Sequence, residues 1–426
     1  MQGRMSRMLL GAVAASAALS LAACGGGSGF DNDQSASSGA GQSGAAGALT
    51  DDADHPLTVL IGSSGDAETA AVDAAVKAWS DKTGVAATVT VASDLAQQLS
   101  QGFAGGDPSD VFYLQSDFLA GYAANGSLLA YGDQLSNKSD FYPSLVTSFT
   151  YDNQFYCAPK DFSTLALVIN TDMWQAAGLT DADYPATWDD LAAVAQKLTT
   201  SDHVGLTFSA EFARVGVFMA QAGGSLLNED QTQATADSDQ NVQALTEVKT
   251  LLDSGSAKFA KDLGAGWGGE AFGKGMAAMA IEGNWLAGAM SADYPDVHYK
   301  VVELPAGPAG KGTLQFTNCW GIAADSPAQK QAMDLVEYLT STDQQLAFSQ
   351  AFGVMPSIQS AADQWSADNP TMTAFLAGAD YAQSVPNVQG ASDVIADFNS
   401  QLESLASSDP ATILGSVQKN LEAILQ

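Results

Sequence analysis

Residues 57–84 read LTVLIGSSGDAETAAVDAAVKAWSDKTG and contain the signals of a strand, a loop and a helix. The apolar run at 57–61 ends in a turn rich in glycine and serine, as expected for a buried strand that is followed by a loop. Apolar residues then recur at helical spacing up to Trp79, and Gly84 supplies a stop signal. We therefore predict a strand, a loop and a helix in that order.

The same alternation of strands and helices continues along the chain. Asp94 opens a second helix, and T-W-D-D at 187–190 predicts a capping box at the start of another. Further strands are predicted at residues 85–91, 111–114, 165–169, 204–208 and 277–281. Alternation of this kind implies a mostly parallel sheet with helices on both faces, whose ligands bind beyond the carboxyl ends of the strands. The loops at 62–66 and 115–117 are therefore the first places to expect a functional site.

Composition narrows the class of function. The chain of 426 residues is long enough for two or three domains. It has 48 acidic residues against 16 Lys and Arg, and its net charge of −32 at pH 7 repels phosphate backbones and anionic head groups. Nucleic-acid binding is therefore excluded. Hydrophobic residues make up 46% of the chain, which is enough for globular cores.

The N-terminus has the pattern of an export signal. Two arginines precede an apolar stretch at residues 8–21, and residues 21–24, LAAC, resemble the lipobox of bacterial lipoproteins. In that family the cysteine is lipidated and becomes the mature N-terminus, whereas the alternative is a plain secretory signal. We expect a signal peptide at 1–23, lipidation of Cys24 and a flexible tether at 24–55. Such a protein would lie outside the cytoplasm, held at the bacterial cell membrane by its lipid alone.

The chain carries no motif that predicts a catalytic, nucleotide or metal site. Residues 264–269 match G-x-G-x-x-G, but a dinucleotide site needs a strand before this loop, and the preceding residues read as a helix end or a loop. The three histidines are isolated from one another in the sequence. We therefore predict no enzyme activity, no cofactor and no metal.

Arg214 is the only arginine after the leader. Arginine is the preferred residue for bidentate capture of carboxylate and phosphate, so a body with a single arginine suits a neutral ligand. We expect Arg214 to pair with Glu211 one helical turn away. A hydrogen-bonding role in a cleft is the alternative.

Short motifs follow one another in a fixed order from residue 57 to the C-terminus. They lie at 79–84, 110–112, 121–123, 158–161, 170–172, 275–279, 283–285, 321–323 and 335–339. Their order and spacing resemble those of the extracellular solute-binding proteins of ABC importers, in the sugar-binding branch that includes maltose-binding protein. The resemblance implies an α/β, two-lobe periplasmic-binding-protein fold of type II. Each lobe would be a mostly parallel sheet flanked by helices, and a hinge would join the two.

The resemblance also implies how the chain is divided between the lobes. Lobe 1 would take residues 56–161 and 320–355, and lobe 2 would take residues 162–319 and 356–426. The cleft between the lobes would be the binding site, and the hinge would close it around the ligand.

Particular residues are placed in the cleft by the same resemblance. Asp117 matches an acidic residue that binds sugar hydroxyls, and Trp285 matches the tryptophan on which a sugar ring stacks. Ser163 stands where the maltose-type proteins have a carboxylate. Asp161 is the candidate replacement, unless it holds Lys160 or a backbone amide at the hinge. The other predicted ligand-binding residues are Ser64, Asp66, Arg214, Trp267, Asn284 and Trp320. For each of the three tryptophans, packing in a core is the alternative.

The two cysteines of the body are Cys157 and Cys319. Both precede segments that the family places at lobe crossovers, and the compartment is oxidising, so the resemblance suggests a disulfide between them. Two buried free thiols are the alternative.

The predicted function is therefore that of a lipid-anchored, monomeric binding protein. It would capture a neutral oligosaccharide and deliver it to the transmembrane permease subunits of an ABC importer. A binding protein for a cationic amine or peptide is an alternative, because acidic side chains beside aromatic rings also suit a cation. A secreted glycoside hydrolase is a further alternative, although no pair of carboxylates stands out in the sequence.

Overall fold

The computed structural model describes residues 48–426, so the predicted signal peptide, Cys24 and most of the predicted tether lie outside the described residues. The strands are β1 (Leu57–Ile61), β2 (Ala87–Val91), β3 (Val111–Gln115), β4 (Thr150–Tyr151), β5 (Gln154–Phe155), β6 (Ala158–Asn170), β7 (Val204–Phe208), β8 (Ala257–Phe259), β9 (Ala277–Gly283), β10 (Tyr299–Val302), β11 (Thr313–Ile322) and β12 (Ala382–Ser384). The helices are α1 (Asp66–Thr83), α2 (Leu95–Gly105), α3 (Ser116–Ala124), α4 (Pro143–Ser148), α5 (Thr171–Ala176), α6 (Trp188–Leu198), α7 (Phe212–Gln221), α8 (Asp239–Asp253), α9 (Gly268–Gly273), α10 (Leu286–Asp293), α11 (Gln329–Leu339), α12 (Thr342–Phe352), α13 (Ala362–Asp368), α14 (Thr373–Ala377), α15 (Ala391–Leu402) and α16 (Pro410–Ile424).

One large sheet organises the described residues. Its strand order is β2-β1-β3-β11-β6-β9-β7-β8, with β10 paired to β6 and β12 paired to β11. The trio β2-β1-β3 is parallel, and so is the trio β9-β7-β8. The two long strands between the trios, β6 and β11, are antiparallel to each other and to the trio beside each of them. The sheet is therefore parallel on its two flanks and antiparallel where the flanks meet.

Buried apolar side chains form three main cores around this sheet. The first core contains residues of β1, β3 and α1 together with residues of α11. The second contains residues of α6, α7, β7, α8, α15 and α16. The third lies where Phe162, Ala166 and Val168 of β6 meet α10, α13 and α14. Side chains at successive positions of a strand point to opposite faces, so β6 contributes to the second core with one face and to the third with the other.

The local signals of the sequence act as predicted. Strands β1 and β7 have the predicted bounds, and α1 ends at Gly84, whose φ of 81° is in the left-handed region that glycine tolerates best. The side chain of Asp94 caps α2 by accepting a hydrogen bond from the backbone N–H of Gln97. Thr187 and Asp190 form the predicted capping box of α6. These predictions are confirmed.

The middle of the sheet was not predicted in full. Strand β6 begins at Ala158, although only residues 165–169 were predicted as a strand, and β11 extends back to Thr313. Polar residues such as Lys160 and Asp161 interrupt the apolar pattern, but their side chains are paired with each other and the backbone continues as a strand. The predicted lobe boundary at residues 161 and 162 falls inside this continuous strand.

Cys157 and Cys319 are joined by a disulfide, and their Cα atoms lie 5.7 Å apart. Both sulfur atoms lie in the first core. Cys319 belongs to β11, next to a register shift between Asn318 and Cys319 in the pairing of β11 with β6. The bond therefore links β11 to the residue that precedes β6.

No helix among residues 48–426 is both long enough and apolar enough to cross a membrane.

Candidate ligand-binding site

Lys160 lies at the centre of a buried group of polar side chains, which we call the Lys160 cluster: Glu68, Tyr113, Lys160 and Asp161. The Nζ atom of Lys160 lies 3.0 Å from Oε1 of Glu68 and also forms an ion pair with the carboxylate of Asp161. The hydroxyl of Tyr113 donates a hydrogen bond of 3.0 Å to the same oxygen of Glu68. The ammonium group also lies 4.4 Å from the centre of the Tyr113 ring. One buried cation thus joins α1, β3 and β6.

Burial and charge act in opposite directions on this cluster. Burial raises the pKa of Asp161, and the opposing effect of Lys160 is too small to reverse that shift. Burial also acts to raise the pKa of Glu68, but the charge of Lys160 and hydrogen bonds from Ser64 outweigh it and hold that pKa below its usual value. Burial acts to lower the pKa of Lys160, yet the neighbouring acidic groups raise it above its usual range. The lysine therefore remains charged, and Asp161 holds Lys160.

The loop after β1 is attached to this cluster. The backbone N–H and the hydroxyl of Ser64 both donate to Oε2 of Glu68, each over 2.7 Å. Ser64 and Asp66 are exposed, and Asp66 is the first residue of α1. A ligand at the carboxyl end of β1 would therefore meet a polar loop that is already fixed in place.

Asp117 lies in the first turn of α3, directly after β3. Its side chain is half-buried, and burial raises the pKa of its carboxyl group. Since β1 and β3 are parallel neighbours, the loops that follow them leave the sheet on the same side, at the carboxyl ends of the strands. The structure thus brings Ser64, Asp66 and Asp117 to this end of the two strands.

A second polar group lies at the end of β9, and we call it the Trp285 cluster: Arg214, Glu282 and Trp285. The Nη2 atom of Arg214 lies 2.8 Å from Oε2 of Glu282, and the indole Nε1 of Trp285 donates to the same oxygen over 3.1 Å. The guanidinium carbon lies 5.1 Å from the centre of the Trp285 ring. Arg214 also pairs with the exposed Glu211 over 3.2 Å, as predicted, but its closer and buried partner is Glu282.

The Trp285 ring is accessible. The residue is 38% exposed, and among the described residues Val91 is the only other exposed large apolar residue. The ring rests on Gly283, where an added Cβ would overlap the indole. It also meets the ring of Phe316 edge to face, with 5.7 Å between the ring centres. Trp285 is therefore a supported but open aromatic surface, as predicted from its place after an apolar strand.

The two clusters are linked through neighbouring residues. The amide nitrogen of Asn284 donates to the backbone carbonyl of Gly353 over 3.2 Å. The ring of the preceding residue, Phe352, has its centre 5.5 Å from Nζ of Lys160. Asn284 is buried, so its amide serves this contact and is not presented to solvent.

The other predicted ligand residues have different surroundings. Ser163 is half-buried on β6. Trp267 is half-buried just before α9, and its ring lies against Gly269. Trp320 is only 1% exposed and packs edge to face on Tyr113, with 4.8 Å between the ring centres. The assignment of Trp320 to the ligand site was wrong, because its ring is part of the first core and has no surface left for a ligand.

Glu68 and Glu282 were missed by the sequence analysis, although each organises a cluster. In the sequence both look like ordinary solvent-facing acids. Nothing there shows that Glu68 has a partner 92 residues away, Lys160, or that Glu282 has one 68 residues away, Arg214. One signal was available for Glu282: it is an acidic residue inside the otherwise apolar run AAMAI-E-G, in which every position is buried.

A separate cavity of about 430 Å³ lies between α4, α7 and β12. Its walls include Phe212, Gly216, Leu314 and Ser384. None of the predicted ligand residues lines it, so we place the candidate site at the two clusters. Among residues 48–426, no group of three or more His, Cys, Asp and Glu side chains is arranged to hold a metal.

The fold is an α/β arrangement of one central sheet with flanking helices. Residues 74–374 match the family described as bacterial extracellular solute-binding protein, and the chain belongs to this family. The diacetylchitobiose binding protein DasA of Streptomyces coelicolor is 27% identical over 366 residues, which are 83% of this chain and 82% of that protein.

Solved structures show the same fold. The cyclic alpha-maltosyl-1,6-maltose binding protein of Arthrobacter globiformis superposes with a TM-score of 0.79 at 21% identity, over 87% of this chain and 99% of that one. The sugar-binding protein MalE of Xanthomonas citri gives a TM-score of 0.77 at 18% identity, over 87% and 97% of the two chains. The predicted periplasmic-binding-protein fold of type II is confirmed.

Proposed function

We propose that this chain is the ligand-capturing component of an ABC importer for a neutral carbohydrate, most simply an oligosaccharide. It binds the sugar in a cleft between two lobes and delivers it to the permease subunits. It acts as a monomer without catalysis, and a lipid on Cys24 holds it at the outer face of the cell membrane.

The relatives support the class of ligand. DasA is named for diacetylchitobiose, and the Arthrobacter protein is named for a cyclic maltosyl maltose. Both ligands are carbohydrates built from linked sugar units. A similar ligand for this chain agrees with the aromatic and acidic side chains at its candidate site.

The exposed indole of Trp285 is the observation that carries the proposal. A sugar ring has an apolar C–H face and a rim of hydroxyl groups, and the apolar face leaves water at little cost when it lies flat on an aromatic surface. The hydroxyls need partners once they are buried, and carboxylate and hydroxyl oxygens accept hydrogen bonds from them. Asp117, Asp66 and Ser64 supply such oxygens at the carboxyl ends of β1 and β3.

The charges of the site support a neutral ligand. Lys160 is paired with two carboxylates, and Arg214 is also paired with two. An anionic ligand would have to displace one of these carboxylates from its cation. Breaking a buried pair leaves an uncompensated charge, which is costly.

The first two cores support the proposed division into lobes, whereas the third contains Leu145 and Met355 of the proposed lobe 1 beside residues of the proposed lobe 2. The first core draws its residues from 57–158 and 319–361, close to the proposed lobe 1 at 56–161 and 320–355. The second core draws on residues 165–314 and 394–421, within the proposed lobe 2 at 162–319 and 356–426. Strands β6 and β11, which connect the two sets of residues, would form the hinge.

The test is a thermal-shift screen of the Cys24→Ala protein against neutral oligosaccharides and, in parallel, polyamines and short cationic peptides. A ligand that prefers the folded state raises the unfolding temperature. We expect shifts with one or more oligosaccharides, confirmed by calorimetric titration. Shifts with amines or peptides alone would contradict the carbohydrate assignment. New reducing ends after incubation with the bound glycan would instead indicate a glycoside hydrolase.

A further inference from the structure

We propose that Glu282 is a positioning residue that holds both Trp285 and Arg214 in the orientation the ligand meets. The claim that this arrangement serves ligand binding rests on the proposed function. The contacts themselves belong to the ligand-free protein. Glu282 would act through its neighbours and not by touching the ligand.

The contacts of the carboxylate support this role. Its Oε2 atom accepts the hydrogen bond of the Trp285 indole over 3.1 Å and that of the Arg214 guanidinium over 2.8 Å. Glu282 is 0% exposed, whereas Trp285 is 38% exposed. A single buried oxygen therefore fixes two groups, one of which is the open aromatic surface.

The surroundings of Glu282 are built to admit a carboxylate. Residues 277–281 of β9 are apolar, and Glu282 is paired in register with Ala166 of β6. Gly268 leaves the necessary room, because a Cβ at that position would lie only 2.5 Å from Oε1 of Glu282. Burial raises the pKa of Glu282, and the charge of Arg214 acts against that rise. A carboxylate in this place is costly unless it is paired.

Stability alone does not explain why the strand carries an acid here. Replacing a complete buried ion pair by apolar residues of similar volume is often neutral or stabilising. The Oε1 atom of Glu282 also has no hydrogen-bond partner among the described residues, so the carboxylate is incompletely satisfied. Its satisfied oxygen serves the indole and the guanidinium, which are the two other members of the Trp285 cluster.

Four contacts bear on the orientation of the indole. The Glu282 carboxylate holds the N–H edge, Gly283 supports the ring, the Phe316 ring meets it edge to face, and the Arg214 guanidinium lies 5.1 Å from the ring centre. The contacts with Phe316 and Arg214 have preferred geometries of their own, but Glu282 accepts the hydrogen bond of the indole and also holds Arg214. Loss of the carboxylate removes both restraints, so we expect the ring to turn more freely.

The test compares Glu282→Met, which removes the acceptor, with Glu282→Gln, which keeps one. In uniformly ¹⁵N-labelled, ligand-free protein, the indole N–H signal of Trp285 is assigned from its absence in Trp285→Phe. We expect hydrogen exchange of this indole to become at least tenfold faster in Glu282→Met and to be largely restored in Glu282→Gln. Glu211→Met removes the exposed partner of the same arginine, and we expect it to leave indole exchange within about twofold of the wild type.

Binding is then measured by calorimetric titration with the oligosaccharide that gives the largest thermal shift. We expect the Kd to rise at least tenfold in Glu282→Met and to recover for the most part in Glu282→Gln. If Glu282→Met does not fold, Gly268→Ala tests the same idea, because its new methyl group displaces the carboxylate without removing it.

Each outcome decides one of the two proposals. Unchanged indole exchange in Glu282→Met, or in Gly268→Ala where it replaces that variant, would overturn the positioning role. Faster exchange with an unchanged Kd would overturn it as well, since positioning would then serve no binding. A wild-type protein that binds no carbohydrate contradicts the proposed function, and the exchange experiment still decides whether Glu282 holds the indole.

Discussion

Ser163 and Phe316 are paired across the antiparallel strands β6 and β11. Paired residues on antiparallel strands project to the same face of a sheet, so the hydroxyl of Ser163 and the ring of Phe316 share one face. The Phe316 ring in turn contacts Trp285. Ser163 therefore lies on the same face as the aromatic pair of Phe316 and Trp285. From the resemblance in sequence, we expect this small hydroxyl group to stand where the maltose-type proteins have a carboxylate.

Replacing Trp285 tests the aromatic surface directly. We expect Trp285→Ala to weaken oligosaccharide binding by roughly 1–3 kcal/mol, by analogy with aromatic stacking on nucleobases. The ligand-free protein should unfold within about 1 kcal/mol of the wild type, as is usual for exposed positions. Calorimetric titration and denaturant unfolding supply the two numbers.

Trp320→Ala is the contrasting variant. Because the Trp320 ring is buried in the first core, its removal should lower the free energy of unfolding by about 3–5 kcal/mol. Equal affinity of wild type and Trp285→Ala for the sugar would show that Trp285 is not the stacking residue.

Lys160 should be essential to stability near neutral pH. In Lys160→Met the carboxylates of Glu68 and Asp161 lose their buried cation, and breaking a buried pair in this way costs about 3–5 kcal/mol. Denaturant unfolding at pH 7 measures the loss. Lys77→Met is the control, since Lys77 pairs with Asp81 on the surface and should change little.

The loss in Lys160→Met should depend on pH. In the wild type the folded-state pKa of Glu68 is lowered, so this group stabilises the fold above its unfolded pKa and the contribution disappears as the pH falls through the folded value. In the variant the carboxylates protonate more readily, and protonation removes the uncompensated charge. The difference between variant and wild type should therefore be smaller at pH 4 than at pH 7; a difference that is constant over this range would argue against the ionic origin.

The disulfide is testable by thiol chemistry. In Cys24→Ala protein that has been denatured without reduction, Cys157 and Cys319 should resist a maleimide reagent, because they are bridged. Mass spectrometry should show no added label before reduction and two labels after it. Two labels before reduction would mean that the thiols are free.

The stabilising effect of this disulfide should be large. The bond spans 162 residues of sequence, and in the chain-entropy model a loop of that size contributes about 5 kcal/mol. Denaturant unfolding of the double variant Cys157→Ser/Cys319→Ser, compared with the oxidised protein, measures this contribution.

Lipidation of Cys24 is a prediction from the sequence L-A-A-C at residues 21–24. In a bacterial host that processes lipoproteins, the wild-type protein should fractionate with membranes and Cys24→Ala should appear in the soluble or secreted fraction. Buried acyl chains contribute about 0.8 kcal/mol per CH₂, so the loss of the lipid removes the main source of membrane affinity. A Cys24→Ala protein that remains with the membranes would rule out the anchor.

Some strands can be predicted from the sequence more completely than others, for physical reasons. Strands β1 and β7 were predicted with the right bounds because each is a short apolar run closed by turn-forming residues. Strand β6 was predicted only from residue 165, because its first half carries polar side chains that are satisfied by partners far away in the chain. Whether a charged side chain can be buried depends on such distant partners, and the order of residues in the sequence does not reveal them.

The same limit explains the outcome for the site. Trp285 was predicted as an exposed residue because it follows the end of an apolar strand, and this is where it lies. Trp320 was misassigned because the extent of β11 was unknown; the strand is paired on both sides, and the ring of Trp320 faces the first core. Glu282 was missed since its partner, Arg214, lies 68 residues away.

We expect the disulfide between Cys157 and Cys319 to stiffen one part of the paired strands β6 and β11. It joins them beside the register shift at Asn318, on the side of the first core. Under the proposed hinge, bending between the two sets of parallel strands would fall on the part of β6 and β11 that the bond does not fasten, where Ser163 and Phe316 lie. A sugar at the proposed site would contact side chains close to the bending point, so a small movement there would change the angle between the proposed lobes.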